Sequence, residues 1–137
     1  MERDFKMEEI KFILKAPLNP ILVKRIDDFT IEFGDGSKYV STAKIRDYIA
    51  CSDGVILRLG AEKELLNTLD YHRNIIKISP KGEFLWRFRP KDHGWGDGFL
   101  GLRHGQSAEN FSANSGAGFY LEARYSDGEV VLREFVG

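Results

Sequence analysis

Three glycines, Gly36, Gly82 and Gly128, stand 46 residues apart, each in a short polar segment between two apolar runs. The segments read Phe33-Gly34-Asp35-Gly36-Ser37, Ser79-Pro80-Lys81-Gly82-Glu83 and Ser126-Asp127-Gly128-Glu129. Proline suits the second position of a type I turn, and a following glycine supplies the positive φ that closes a short hairpin loop. The runs on either side are rich in β-branched and aromatic residues, which favour pleated strands. A turn device repeated at this interval restricts the chain to antiparallel sheets. The interval is also that of β-propeller blades, which recur every ~40 to 50 residues.

The spacing predicts blade-like hairpins near residues 29–43, 75–89 and 121–135, within one domain spanning 1–137. Further strands are expected over 21–26, 44–50 and 55–60, and Pro17 and Pro20 keep the segment before them extended. GVILRLG at 54–60 and GFLGLRHG at 98–105 look like a second echo of the same repeat. Ala61 to Leu69 has helix-forming composition but is short for an independent helix. Phe84, Trp86 and Phe88 alternate and are expected to share one buried face. The fold class is therefore all-β: antiparallel hairpins in blade-like sheets, forming a compact sandwich or partial propeller.

The hairpin NIIKISPKGEFLWRF, residues 74–88, resembles the hairpins of quinoprotein-type propeller blades, in which an apolar run, a turn glycine and a Leu-Trp pair follow one another. Over residues 54–137 the order of VILRLG, RNIIKISPKGEFLWRFRP, a Gly-rich segment and GFYLEARYSDGEVVLREF is similar to small uncharacterised bacterial proteins built from such hairpins. Three units are too few to close a propeller, which implies a compact sandwich or edges covered by other segments. The glycines and tryptophans that hold the quinone in that family have no matching set here, so the resemblance implies no cofactor.

Composition narrows the function classes. Twenty Lys and Arg against 21 Asp and Glu leave a net charge of -1, so no bulk field draws the chain to nucleic acid or an anionic membrane. The one cysteine, Cys51, cannot form an intramolecular bridge, and the start MERDFKMEEIKF lacks the apolar run of a secretory signal. A reducing cytoplasm is the expected compartment. No window approaches the ~20 apolar residues of a membrane helix.

The segment 89–119 breaks the strand rhythm with seven glycines and gathers the candidate site residues. Asp92, His93, Asp97 and His104 are possible ligands, but their spacing matches no metal scheme, and no metal site is assigned. Its glycines lack the Gly-Lys-Ser/Thr step of a phosphate loop. Cys51 with His72, His93 or His104 could form a thiol and base, yet a buried, unreactive thiol is the plainer reading. Ser107, Ser112 and Ser115 sit in no nucleophile elbow, and no catalytic residue is assigned. Arg87, Arg89, Lys91 and Arg103 with Trp95 and Phe99 could face bases, but Asp92 and Asp97 intrude, and nucleic acid is not the expected partner.

Trp95, flanked by glycines, suits an interface anchor, because an aromatic buries much area with few rotors. The expectation is a protein-binding surface comprising Asp92, His93, Trp95, Asp97, Arg103, His104 and Glu109. By analogy of type, the chain is expected to be a cytoplasmic immunity protein that occludes a toxin's active site, without enzymatic activity. The alternative is a small-ligand- or metal-binding β-domain, or an enzyme, using the 92–109 loop.

Overall fold

A computed structural model describes residues 13–60, 73–90, 98–116 and 118–135. Among them run eleven strands: β1 Val23–Asp27, β2 Thr30–Phe33, β3 Lys38–Val40, β4 Ile45–Cys51, β5 Gly54–Leu59, β6 Ile75–Ile78, β7 Phe84–Arg87, β8 Phe99–His104, β9 Asn110–Ser115, β10 Phe119–Arg124 and β11 Val130–Phe135. They form three antiparallel sheets in chain order, β1 to β3, β4 to β7 and β8 to β11. The fold is all-β. The helix-forming stretch 61–69 lies outside the described residues.

The three spaced glycines each turn the last hairpin of one sheet, with φ of 90°, 81° and 75°. The last two sheets share a further device three residues on. Leu85 has no partner between Lys77↔Trp86 and Ile78↔Phe84, and Val131 has none between Glu122↔Leu132 and Ala123↔Val130. Both are β-bulges, which bend an edge strand and increase its twist. The β2–β3 pair has no such shift, so the first unit shares only the turn. The second echo is not an equivalence: Gly54 opens the second strand of its sheet, whereas Gly98 precedes the first strand of the next.

The bulge at Leu85 also overturns the expected shared face of Phe84, Trp86 and Phe88. An extra residue reverses the alternation, so Phe84 pairs with Ile78 on one face and Trp86 with Lys77 on the other. Phe84 is 57% exposed, while Phe88 is buried.

The second sheet is buried on both faces. Ile45, Val55, Leu57, Leu59, Ile76 and Ile78 pack with Ile31 and Phe33 of the first sheet. Ile49, Cys51, Ile56, Ile75 and Phe88 pack with Phe99, Leu102, Phe111, Leu121, Ala123 and Tyr125 of the third. This is why β5 and β6 read as nearly continuous apolar runs rather than alternating ones. The two outer faces are polar instead. Lys24, Glu32 and Lys38 lie side by side across the first sheet, with Lys24 Nζ 3.5 Å from Glu32 Oε1. Across the third, Arg103, Ser112 and Glu122 are cross-strand neighbours.

Neighbouring sheets meet at the turn glycines. A Cβ on Gly82 would lie 3.5 Å from Tyr39 Cβ of β3, and a Cβ on Gly128 would lie 3.1 to 3.2 Å from the Trp86 ring of β7. At Gly36 a Cβ would meet nothing. Gly128→Ala combines backbone strain with crowding of the indole and should cost about 1–2 kcal/mol. Gly36→Ala, with strain alone, should cost less. Urea denaturation of the two variants reads the difference; equal losses would show that the Trp86 contact contributes nothing.

Candidate functional site

The segment before β1 crosses from the third sheet to the second: Lys15 N donates to Gly105 O at 2.8 Å, and Ile21 N donates to Cys51 O at 3.0 Å. Between these anchors Pro17 is buried and Leu18 is 73% exposed. Beneath this strap the β4–β5, β8–β9 and β10–β11 turns converge on an open groove of about 270 Å³. Pro17, Leu18 and Ala108 supply its apolar wall, and Asp53, Glu109 and Arg124 its charges.

Under the groove lies a buried lysine. Lys77 stands in the middle of β6 on the face toward the third sheet, and its side chain is 1% exposed. A buried ammonium must be paired. Its Nζ donates to Asp53 Oδ1 at 2.8 Å and to Tyr125 O at 2.8 Å, so one side chain of the second sheet holds the β4–β5 turn and the third sheet together. Cys51 Sγ donates to Gly54 O at 3.4 Å and lies 3.5 Å from the same Asp53 Oδ1. Burial pushes the Cys51 thiol up, against the opposing pull of Lys77. Burial also acts to raise the Asp53 carboxyl, but the hydrogen bond and charge of Lys77 outweigh it and hold the group below its ordinary value.

Tyr125, which also lines the groove, is 5% exposed, and its hydroxyl has no hydrogen-bond partner among the described residues. Burial pushes its pKa up. Arg124 forms a two-bond fork on Asp127, at 3.1 and 2.7 Å.

A second polar cluster lies on the outer face of the third sheet. Glu122, 3% exposed, accepts from Tyr120 Oη at 2.6 Å, Gln106 Nε2 at 2.8 Å, Gln106 N at 3.1 Å and Asn110 Nδ2 at 3.5 Å. A Cβ on Gly105 would lie 2.9 Å from Glu122 Oε1 and 2.8 Å from Asn110 O, so the glycine makes room for the carboxylate. Each of these donors comes from the same sheet or its β8–β9 turn, as expected of a structural network.

Of the sequence-derived surface, the structure describes Arg103, His104 and Glu109, which it does not bring together. Arg103 is exposed on the outer face of the third sheet opposite Ser112, and His104 pairs with Phe111 on the other face. Among the described members, Glu109 alone lines the groove. Asp92, His93, Trp95 and Asp97 lie outside the described residues. Sequence reasoning missed Lys77, Asp53 and Leu18. One signal for the pair was legible: a lysine centred in the apolar run Ile75-Ile76-Lys77-Ile78 requires a counter-charge, and Asp53 sits at the turn into the neighbouring strand.

Among the described residues no three His, Cys, Asp or Glu side chains stand together as a metal site, and no helix is long and apolar enough to cross a membrane. The chain matches no family model, no curated protein and no solved structure.

Proposed function

We propose that the protein is a non-enzymatic module that binds another protein through the turn face carrying the groove. The observation that carries this reading is the commitment of the reactive groups there. The Cys51 thiol and the Lys77 ammonium are buried and bonded to Asp53 and to main-chain oxygens, so they hold the turns in place rather than meet a substrate. Leu18, in contrast, projects into solvent beside the opening. An apolar side chain on the rim of a rigid concave surface suits a protein interface.

Within this class the narrower proposal is a cytoplasmic immunity protein that neutralises a cognate toxin by covering its active site. Capture from native lysate on the immobilised protein tests both levels. The expected result is one stoichiometric protein partner, lost with Leu18→Asp in a chain of unchanged Tm. The narrower reading further requires that the captured protein arrest growth when expressed alone and not when expressed with this chain. Retention of no protein would overturn the binding reading.

A further inference from the structure

We infer that Glu122 is a positioning residue for the groove: from the outer face of the third sheet it sets the β8–β9 turn, and through that turn one wall of the groove and one anchor of the strap. Its consequence for binding rests on the protein-binding reading and deepens it, by naming a residue that governs the site without lining it.

Glu122 stands within β10, buried, and its carboxylate grips the turn at both ends. Oε2 accepts from Gln106 N at 3.1 Å and Gln106 Nε2 at 2.8 Å, where the chain leaves β8. Oε1 accepts from Asn110 Nδ2 at 3.5 Å, where it enters β9. The turn also closes on itself, with Gly105 N donating to Asn110 O at 2.9 Å and Asn110 N to Ser107 O at 3.1 Å. The same turn serves the groove. Lys15 N donates to Gly105 O at 2.8 Å, which is the strap's anchor on the third sheet, and Tyr125 N donates to Glu109 O at 3.0 Å. Ala108 and Glu109, between these two carbonyls and Asn110, line the opening. A change in how Glu122 holds the turn is therefore passed to the strap, to the groove wall and to Tyr125 together.

The chemistry of the grip is specific to a carboxylate. The turn presents donors to both oxygens, and a carboxylate can accept at both. Glutamine of the same length would point an amide NH2 at the Gln106 donors or at Asn110 Nδ2, so one end of the turn would meet donor with donor. Local loss of hydrogen bonds lets a turn open without unfolding the sheet that carries it.

Native-state hydrogen exchange on the full chain, followed by NMR, tests the inference. In Glu122→Gln the amides of Lys15 and Tyr125 are expected to exchange about tenfold faster relative to that of Ile21, which Cys51 O of the second sheet holds instead. Ile56→Val, a core substitution in β5, shows the pattern of lost stability alone, and there the Lys15 and Tyr125 amides should not outpace Ile21. Should Glu122→Gln fail to fold, Gln106→Ala, which removes the Nε2 bond, is expected to show the same selective change at smaller size. Acceleration shared equally by the three amides, in whichever of these two variants folds, would overturn the positioning role, since Glu122 would then support the sheet as a whole. Capture from lysate reads the consequence for binding. The wild type and Ile56→Val are expected to retain a partner equally, and Glu122→Gln to retain several-fold less. A partner held equally by the wild type and Glu122→Gln overturns the role of Glu122 in binding and leaves protein binding standing. If the wild type captures no partner, the protein-binding reading fails, and the exchange rates still decide whether Glu122 sets the turn.

Discussion

Phe111→Ala is expected to be among the most destabilising single substitutions in this chain, at about 4 kcal/mol. Phe111 is fully buried in β9, in the layer between the second and third sheets. Its ring meets Phe88 edge-on at 5.4 Å, stacks on Trp86 at 6.2 Å and tilts against Tyr125 at 5.7 Å. Trp86 lies on β7 of the second sheet and Phe88 just beyond that strand, while Tyr125 directly follows β10. Truncation therefore removes contacts between two layers, to Phe88 and Trp86, as well as one within the third-sheet layer, to Tyr125. The cavity cannot close easily, because its walls are strand backbones tied into separate ladders, and relaxation would require one sheet to slide over the other. The loss would be a large share of the ~5–15 kcal/mol that holds a typical domain folded. Urea denaturation should show a lower midpoint at an unchanged slope. A loss below about 2 kcal/mol would mean that the two sheets repack freely, contrary to the close aromatic geometry.

That layer explains what could be read in the sequence and what could not. The hairpins were legible because Gly36, Gly82 and Gly128 are local devices: a positive φ and a polar turn are specified by residues next to one another. The faces were less so. One unpaired residue, Leu85, reverses the alternation and sends Phe84 into solvent, and nothing in GEFLWRF distinguishes a bulged strand from a regular one. The groove was harder still. It is built from residues 17–18, 51–53, 108–109 and 124–126, which come together only through the stacking of two sheets and the strap across them. The candidate surface drawn from the sequence followed the chain along one Gly-rich segment. The sheet then divided that segment, because Arg103 and His104, adjacent in β8, point to opposite faces.

Asp53→Asn should destabilise the protein by about 3 kcal/mol at neutral pH, with a dependence on pH and on Lys77 that identifies the cause. The substitution preserves size and leaves the Lys77 ammonium, 1% exposed, with the Tyr125 carbonyl and no counter-charge. Removing one member of a buried pair costs more than removing both, since the unpaired charge stays behind. Lys77→Met in the Asp53→Asn background should therefore recover much of the loss, although Lys77→Met alone removes the same ion pair. Two effects that fail to add in this direction are the signature of the pair. The sign of the pH dependence follows from the depressed folded-state value of Asp53. Its contribution is fully present above the unfolded carboxylate value, about 3.9, and is lost as pH falls through the lower folded value. The stability gap between the wild type and Asp53→Asn should thus be constant near neutrality and shrink below about pH 4, where the wild type protonates to a neutral side chain much like Asn. Asp27, Asp35 and Asp127, also depressed but by turn hydrogen bonds, titrate in both proteins and drop out of the difference. A gap that persists unchanged at low pH, or a double variant as unstable as the sum of the singles, would mean that Asp53 holds its turn through packing and that Lys77 is satisfied without it.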